Sequence, residues 1–390
     1  MPAVPEIHPQ DRPLLEVSGP LRVERVEGAD PLGAIADEWR ALFDSSACRL
    51  PFLAFEWAQA WWTQMRRDRW TVRDVLELRA VRDGSGKLVA VAPLMVSERP
   101  GAGPVRVRQL HFIGPDGNLT EVRGILCVPG MEQDVHAALR VHLEAYPRWD
   151  WMLWSGVPPE LSDIGIQQRW LTRMEAREEH VLDLPGSWDE FKAGLKRNVR
   201  ESLRKCYNSL KRDSHAFTLR VAKTQDEVLA ALPRLFELHA ARAAVTDTVR
   251  HRDVFEGERE RRFMEAMYRA FAQRGQARAY SLEIAGQVVA VRLGFQFGRA
   301  IYLYYSGYDP KWSDYSVMTT CLAEALKHAI NEGVTTASLS TGTDQSKSRW
   351  GGRVIARQEW VQHHGTPHAL VAYGTVRRVR RFLRRFGLFR

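Results

Sequence analysis

AIYLYYSGYDPKWSDYSVMTT, residues 300–320, decides how this chain folds. The aromatic, apolar run from Ala300 to Gly307 has the composition of a strand. Asp309-Pro310 supplies turn chemistry, and from Val317 to Asn331 the apolar spacing becomes helical. A strand that runs through a loop into a helix presents unbonded backbone N–H groups, and the positive end of the helix dipole, beyond its own end. Ser316 reads as the N-cap of that helix. Such a corner is suited to an anion, phosphate above all.

Working outward, the next strand spans Thr335 to Thr341 and opens into LSTGTDQSKSRWGG, residues 339–352. A plain surface turn needs Gly342 and Asp344 but has no use for Lys347, Arg349 and Trp350 crowded behind them. Upstream lie a hairpin from Ala277 to Phe297 turning at Ala285-Gly286, and helices over Asp226–Ala244 and Phe255–Arg274. The first half repeats this order. It reads as helices over Pro31–Phe43 and Phe52–Met65, a hairpin from Val75 to Ser97, and a strand from Val107 to Ile113. After a loop come a helix over Gln133–Tyr146 and a strand over Trp149–Trp154. Val89-Ala90-Val91 echoes Val289-Ala290-Val291, and Leu153-Trp154-Ser155-Gly156 echoes Leu339-Ser340-Thr341-Gly342. The common order implies a tandem duplication.

The 390 residues are 45% hydrophobic and 26% charged, enough for two cores of ordinary size. No run approaches the roughly 18 to 20 apolar residues of a spanning helix, and the proline-rich start lacks the pattern of a signal peptide. The expected location is the cytoplasm. Cys48, Cys127, Cys206 and Cys321 form no Cys-x-x-Cys pair, and His363, His364 and His368 lack ligand spacing, so they read as inert thiols and a polar loop, with no metal site.

The net charge of +9 is concentrated in two segments. Between Lys192 and Arg212 eight basic residues face one acid, Glu201. Phe191, Leu195, Val199, Leu203 and Tyr207 make an apolar stripe, with Lys192, Lys196, Arg200 and Arg204 as a basic ridge beside it. Like charges four apart repel on a helix, and an anionic partner would relieve them. The second segment, Thr375 to Arg390, reads as a basic amphipathic helix suited to an anionic membrane surface, or else as a terminal helix docked on the core or a disordered tail.

The doubled order, the basic Phe191–Arg212 helix, the strand-to-loop segment from Tyr302 to Pro310, and Asp344, Lys347, Arg349 and Trp350 together resemble the GNAT acyltransferase superfamily. The resemblance is to its FemAB-like tandem branch, and most of all to the acetyltransferases linked to bacterial cellulose biosynthesis (CelD type). It implies an α/β fold (α+β mixed sheets) of two tandem GNAT-like domains, each a mostly antiparallel sheet flanked by helices. The expected divisions are a tail (1–20), a first domain (21–180), an acyl-CoA-binding domain entered through the basic helix (181–365) and a basic tail (366–390). It further implies transfer of an acyl group, acetyl in the simplest case, from acyl-CoA to an amine or hydroxyl of a saccharide or cell-envelope acceptor, by direct attack without a metal. Two alternatives stay open. One is a Fem-type transferase fed by aminoacyl-tRNA, whose phosphates the basic ridge would contact. The other is an inactive scaffold held near the inner face of the membrane by the tail.

In that frame Lys311, Ser313, Ser316, Val317, Met318, Lys347 and Arg349 are the candidates for the CoA phosphates. Relatives often carry Pro-Gly or a glycine-rich turn where this chain has Ser316-Val317-Met318. Asp344 is the candidate general base and Tyr308 the hydroxyl at the leaving thiolate. Asp344 could instead cap the following turn with Arg349 paired to it, and Trp350 reads as core. Trp57, Trp61 and Trp62 fall at helical spacing and read as core as well. Of Tyr304 and Tyr305, alternating along the strand, one points inward. The Gly114-Pro115-Asp116-Gly117-Asn118 loop, counterpart of the donor loop, reads as acceptor cleft or, more simply, as a connection.

Overall fold

Val89–Val91 and Val289–Val291 occupy equivalent places in a duplicated fold, each on the second strand of a hairpin. The computed structural model describes residues 19–46, 49–101, 106–116, 118–146, 148–157, 171–173, 177–245, 252–342, 344–363 and 374. The first unit comprises β1 (Arg22–Arg25), α1 (Pro31–Ala34), α2 (Ala36–Ser45), α3 (Phe55–Met65), β2 (Asp68–Arg69), β3 (Val72–Leu76), β4 (Arg79–Arg82) and β5 (Leu88–Ala92). It continues through β6 (Leu94–Pro100), β7 (Arg106–Phe112), β8 (Leu126–Cys127), α4 (Glu132–Glu144), β9 (Trp151–Val157), β10 (Leu171–Arg173) and β11 (Arg177–Asp183). The second opens with α5 (Trp188–Gly194), α6 (Arg197–Arg212), β12 (Phe217–Ala222), α7 (Gln225–Ala243) and α8 (Glu258–Gln273). It closes with β13 (Ala277–Ile284), β14 (Gln287–Phe297), β15 (Ala300–Tyr308), α9 (Val317–Asn331), β16 (Thr336–Thr341), α10 (Gln345–Ser348) and β17 (Arg353–His363).

Parallel neighbours need a long crossover, and each unit supplies one helix for it. In the first, β7 returns through α4 to a parallel β9; in the second, β15 returns through α9 to a parallel β16. The hairpins β13–β14 and β4–β5 are antiparallel. The fold is therefore mixed α/β, two units of like element order in tandem. Their sheets join, because β17 pairs with β11 on one edge and with β9 on the other.

The Val75–Ser97 segment is more than one hairpin. Strands β4 and β5 lie in a four-stranded sheet with β1 and β8, while the flanking β3 and β6 belong to the long sheet. Pro93, which has no N–H to give a ladder, stands at the changeover, and Glu77 N donates across it to Leu94 O. The Phe191–Arg212 helix breaks into α5 and α6 at Leu195-Lys196, but Phe191, Leu195, Val199 and Leu203 are buried as the stripe required. His363 ends β17, buried opposite Trp151, rather than lying in a polar loop. His364, His368 and the Thr375–Arg390 segment lie outside the described residues.

Apolar burial does not divide at residue 180. The larger core joins the first unit to α7, α8 and one face of the second sheet: the Trp57 ring meets Phe263 at 5.3 Å and Tyr304 at 5.8 Å, both edge-on. A second core fills the other face, under α5, α6 and α9. Trp57 and Trp61 are core, as their spacing required. Cys206 and Cys321 are buried, and burial raises both thiols, Cys321 to about 11. No helix among the described residues is long and apolar enough to cross a membrane.

Candidate active site

Two β-bulges open a gap in the second sheet. On β15, Tyr304 and Tyr305 together face the single residue Leu293 of β14. On β16, Leu339 and Ser340 together face His180 of β11, and Ser340 is left-handed at φ +74°. An extra residue bends its strand and breaks the ladder. Strands β15 and β16 accordingly pair only over Ala300–Tyr302 and Thr336–Ser338 and then separate. A cavity of about 820 Å³ fills the space between them and reaches both faces of the sheet.

On the face covered by α9 the wall includes Ser313, Ser316, Val317, Met318, Thr319, Asp344, Lys347 and Arg349, and Tyr308 also lines it. The structure thus gathers the sequence candidates around one space, Lys311 excepted. Lys311 is exposed and lies off the wall, because the Asp309 carboxylate accepts its N–H at 3.0 Å and winds Pro310–Tyr315 into a 3₁₀ turn. Ser316 precedes α9 but does not cap it. Its φ of +50° removes the extended geometry that brings a capping oxygen over the first turn, and its hydroxyl meets the Cys206 thiol instead. A left-handed residue between two right-handed turns gathers neighbouring N–H groups into a concave nest. Thr319 and Thr320 donate to Ser316 O, whereas Val317 and Met318 stand in the first helical turn, where no intrahelical acceptor exists.

Asp344 is the N-cap of α10, accepting from Ser346 N at 3.1 Å, with Lys347 Nζ 3.3 Å away. Burial works to raise its pKa, but the Ser346 hydrogen bonds and the Lys347 charge hold it below the usual carboxylate value. A carboxylate so stabilised as the anion takes up a proton less readily than a free one. Lys347 also donates to Thr341 O and so closes the turn around Gly342. Arg349 does not pair with Asp344. Its Nη2 donates to Thr319 Oγ1 in the first turn of α9 at 2.7 Å, and its buried Nε has no hydrogen-bond partner. Trp350 is core.

The opposite face holds residues that sequence reasoning missed. Bulging puts Tyr304 and Tyr305 on the same side, so both tyrosines turn towards the first unit. Tyr304 donates to Leu119 O and Tyr305 to Asn118 O, the latter at 2.5 Å. The segment after Gly114 contributes Asn118 to the cavity lining, and Asp116 accepts from Leu119 N, Thr120 N and Trp61 Nε1. Beyond it Glu121 enters the gap, accepting from Tyr302 at 2.5 Å, from Ser340 Oγ at 2.7 Å and from Thr341 N at 3.4 Å. Burial raises its pKa against those hydrogen bonds and the Lys347 charge. From α7, His239 lines the cavity with Nδ1 3.1 Å from Asp253, and burial lowers its pKa against the pull of that carboxylate. Arg242 and Arg252 complete a basic wall, with the Arg242 guanidinium over the Tyr308 ring at 5.8 Å; Arg292 also lines the cavity, near Cys321 of α9.

A second cavity, of about 580 Å³, lies along α5 and α6, lined by Trp188, Lys192, Arg197, Arg200, Arg204 and Tyr207 among others. Of the ridge, Arg200 also donates to Ala193 O. Among the described residues no group of three His, Cys, Asp or Glu side chains could hold a metal ion.

Residues 197–348 match a family model described as an acetyltransferase (GNAT) domain. The match runs from the first residue of α6 to the last of α10; it takes in the corner between β15 and α9, and Glu121 falls outside it. Among solved structures, the crystal structure of FemX is similar with a TM-score of 0.58 at 12% identity, over 86% of this chain and 96% of that one. A conserved protein of unknown function from Bacteroides thetaiotaomicron is similar with a TM-score of 0.51 at 15% identity, over 85% and 97%. At such identities the likeness is one of fold. No curated protein sequence matches the chain.

Proposed function

We propose that the protein is an acyltransferase whose second unit binds acyl-CoA at the corner between β15 and α9 and passes the acyl group through the sheet to an amine or hydroxyl on the other face. The observation that carries this reading is the cavity itself, which has the first turn of α9 on one side and Glu121, His239, Arg242 and Tyr305 on the other. In it the diphosphate lies against the N–H groups of Val317 and Met318, with Ser313, Ser316 and the Arg349 guanidinium, whose Nε has no partner, around it. The helix dipole and charge-assisted hydrogen bonds stabilise it there. The thioester reaches the gap between β15 and β16. Its developing oxyanion meets backbone N–H groups where the ladder is broken, and Tyr308 stands beside the departing sulfur. The acceptor enters beside His239 and the arginines. An acetyl group on a saccharide or cell-envelope acceptor, at the inner face of the membrane, is the specific form we propose.

Thermal unfolding with acetyl-CoA tests it. A ligand at about 100 times its dissociation constant stabilises the native state by roughly 2.7 kcal/mol. Wild type should shift upward and Arg349→Ala much less; no shift with acetyl-CoA or a longer acyl-CoA rejects the donor. A second reading, a transferase fed by aminoacyl-tRNA, is favoured by the basic cavity on α5 and α6. It requires tRNA binding that falls steeply with salt and is lost when Arg200 and Arg204 become glutamine.

A further inference from the structure

Glu121 is a half-buried carboxylate that the proposed donor corner does not use. It comes from the first unit, yet it sits between the two strands whose separation makes the cavity: Tyr302 is the last residue of β15 paired with β16, and Ser340 and Thr341 end β16. Three groups donate to Oε2, those of Tyr302, Ser340 and Thr341. Against Oε1 stands the Ser340 hydroxyl, whose single proton serves one oxygen at a time. Oε1 therefore keeps acceptor capacity. Ser340 holds its place at a left-handed φ that serine normally avoids, the kind of strain that tertiary structure sustains at functional sites.

We infer that Glu121 is the general base of the cavity, so that one active site is assembled from both units; this rests on the acyl-transfer reading above. The step balances. As the acceptor nitrogen or oxygen bonds to the thioester carbonyl carbon, its proton passes to Glu121 Oε1. The C–S bond then breaks with its electron pair on sulfur, the thiolate takes a proton from solvent, and Glu121 returns its own to solvent. Nearby Lys347 offsets the carboxylate's charge while it waits. The rivals are less suited: Asp344 is tied to α10, and the His239 ring lies against Phe255 and Tyr305 at 4.9 and 5.7 Å with Nδ1 on Asp253.

The test uses the full chain, acetyl-CoA as donor and hydroxylamine as a small probe acceptor, with thiol release followed from acid to mildly alkaline pH. Glu121→Gln keeps the shape and part of the hydrogen bonding but cannot take a proton. It should lower kcat by about 10²-fold or more, abolish the acid limb of the rate profile and leave the acetyl-CoA thermal shift unchanged. Glu121→Asp should keep the limb at a reduced rate. Tyr302→Phe and Ser340→Ala, which remove donors to the ionised form, should move the limb to higher pH, an effect that a purely structural role would not produce and that also serves if the glutamine variant folds poorly. A glutamine variant with wild-type rate and limb overturns the assignment, most directly if His239→Gln removes both. Wild type that binds acetyl-CoA yet transfers nothing to hydroxylamine overturns it too. Absence of acetyl-CoA binding removes the donor reading and this inference together, which sets that failure apart from the others.

Discussion

The Tyr302 phenol donates to the Glu121 carboxylate at 2.5 Å across 181 residues of sequence, and through that bond the first unit reaches into the gap of the second. Burial and the Glu121 charge hold the phenol far above its ordinary pKa, so it remains a donor. Removing one partner of such a bond leaves the other without it. Tyr302→Phe should therefore cost about 1–3 kcal/mol, measured by urea unfolding. An unchanged midpoint and slope would mean the contact contributes nothing to joining the units.

At Gly307 the backbone of α7 packs directly against β15. A Cβ there would stand 2.7 Å from His239 N and 2.9 Å from Leu238 C, both backbone atoms that cannot turn aside. Gly307→Ala should lower stability by about 1–3 kcal/mol, although an alanine in an unobstructed strand would normally be neutral or better. A thermal unfolding scan decides, and a rise in Tm would contradict the packing.

Asp344→Asn separates capping from catalysis. Asparagine caps helices about as well as aspartate, so stability should change by less than about 1 kcal/mol and the acid limb of the transfer rate should persist. Loss of that limb with the fold intact would return the proton to Asp344.

His136 packs against Trp154, and burial lowers its pKa to about 4 from an ordinary 6.5. A histidine whose folded pKa is depressed contributes stability that is fully present above the unfolded value and is lost as pH falls towards the folded one. Stability should thus decline between about pH 6.5 and pH 4, by up to roughly 3 kcal/mol from this group. Glu121, raised rather than lowered, acts in the opposite sense. His136→Leu should flatten the decline in unfolding curves taken across that range, and an equal slope in both proteins would assign it elsewhere.

Local pattern determined much of this protein. The aromatic run to Tyr308 and the helical spacing after Val317 marked a strand, a turn and a helix, and those elements formed over Ala300–Tyr308 and Val317–Asn331. The repeated order of elements gave the duplication, and the crowding of Asp344, Lys347 and Arg349 behind a strand end marked one wall of the cavity. These signals are local, since periodicity and turn chemistry act between residues a few positions apart.

Tertiary structure decided what depends on register and on distant partners. Two bulges, each one residue of excess against the neighbouring strand, turned Tyr304 and Tyr305 to the same side and parted β15 from β16. Neither bulge carries a signal in its own strand, because it is defined by the strand opposite. Strand β17 went unread, since its polar residues gain burial only between β11 and β9. Glu121 carries no signal in its local sequence. Its surroundings come from Tyr302, Ser340, Thr341 and Lys347, all far along the chain, and burial among them is what shifts its pKa. Periodicity cannot express such a relation, because the electrostatics of a buried carboxylate depend on what folding brings around it.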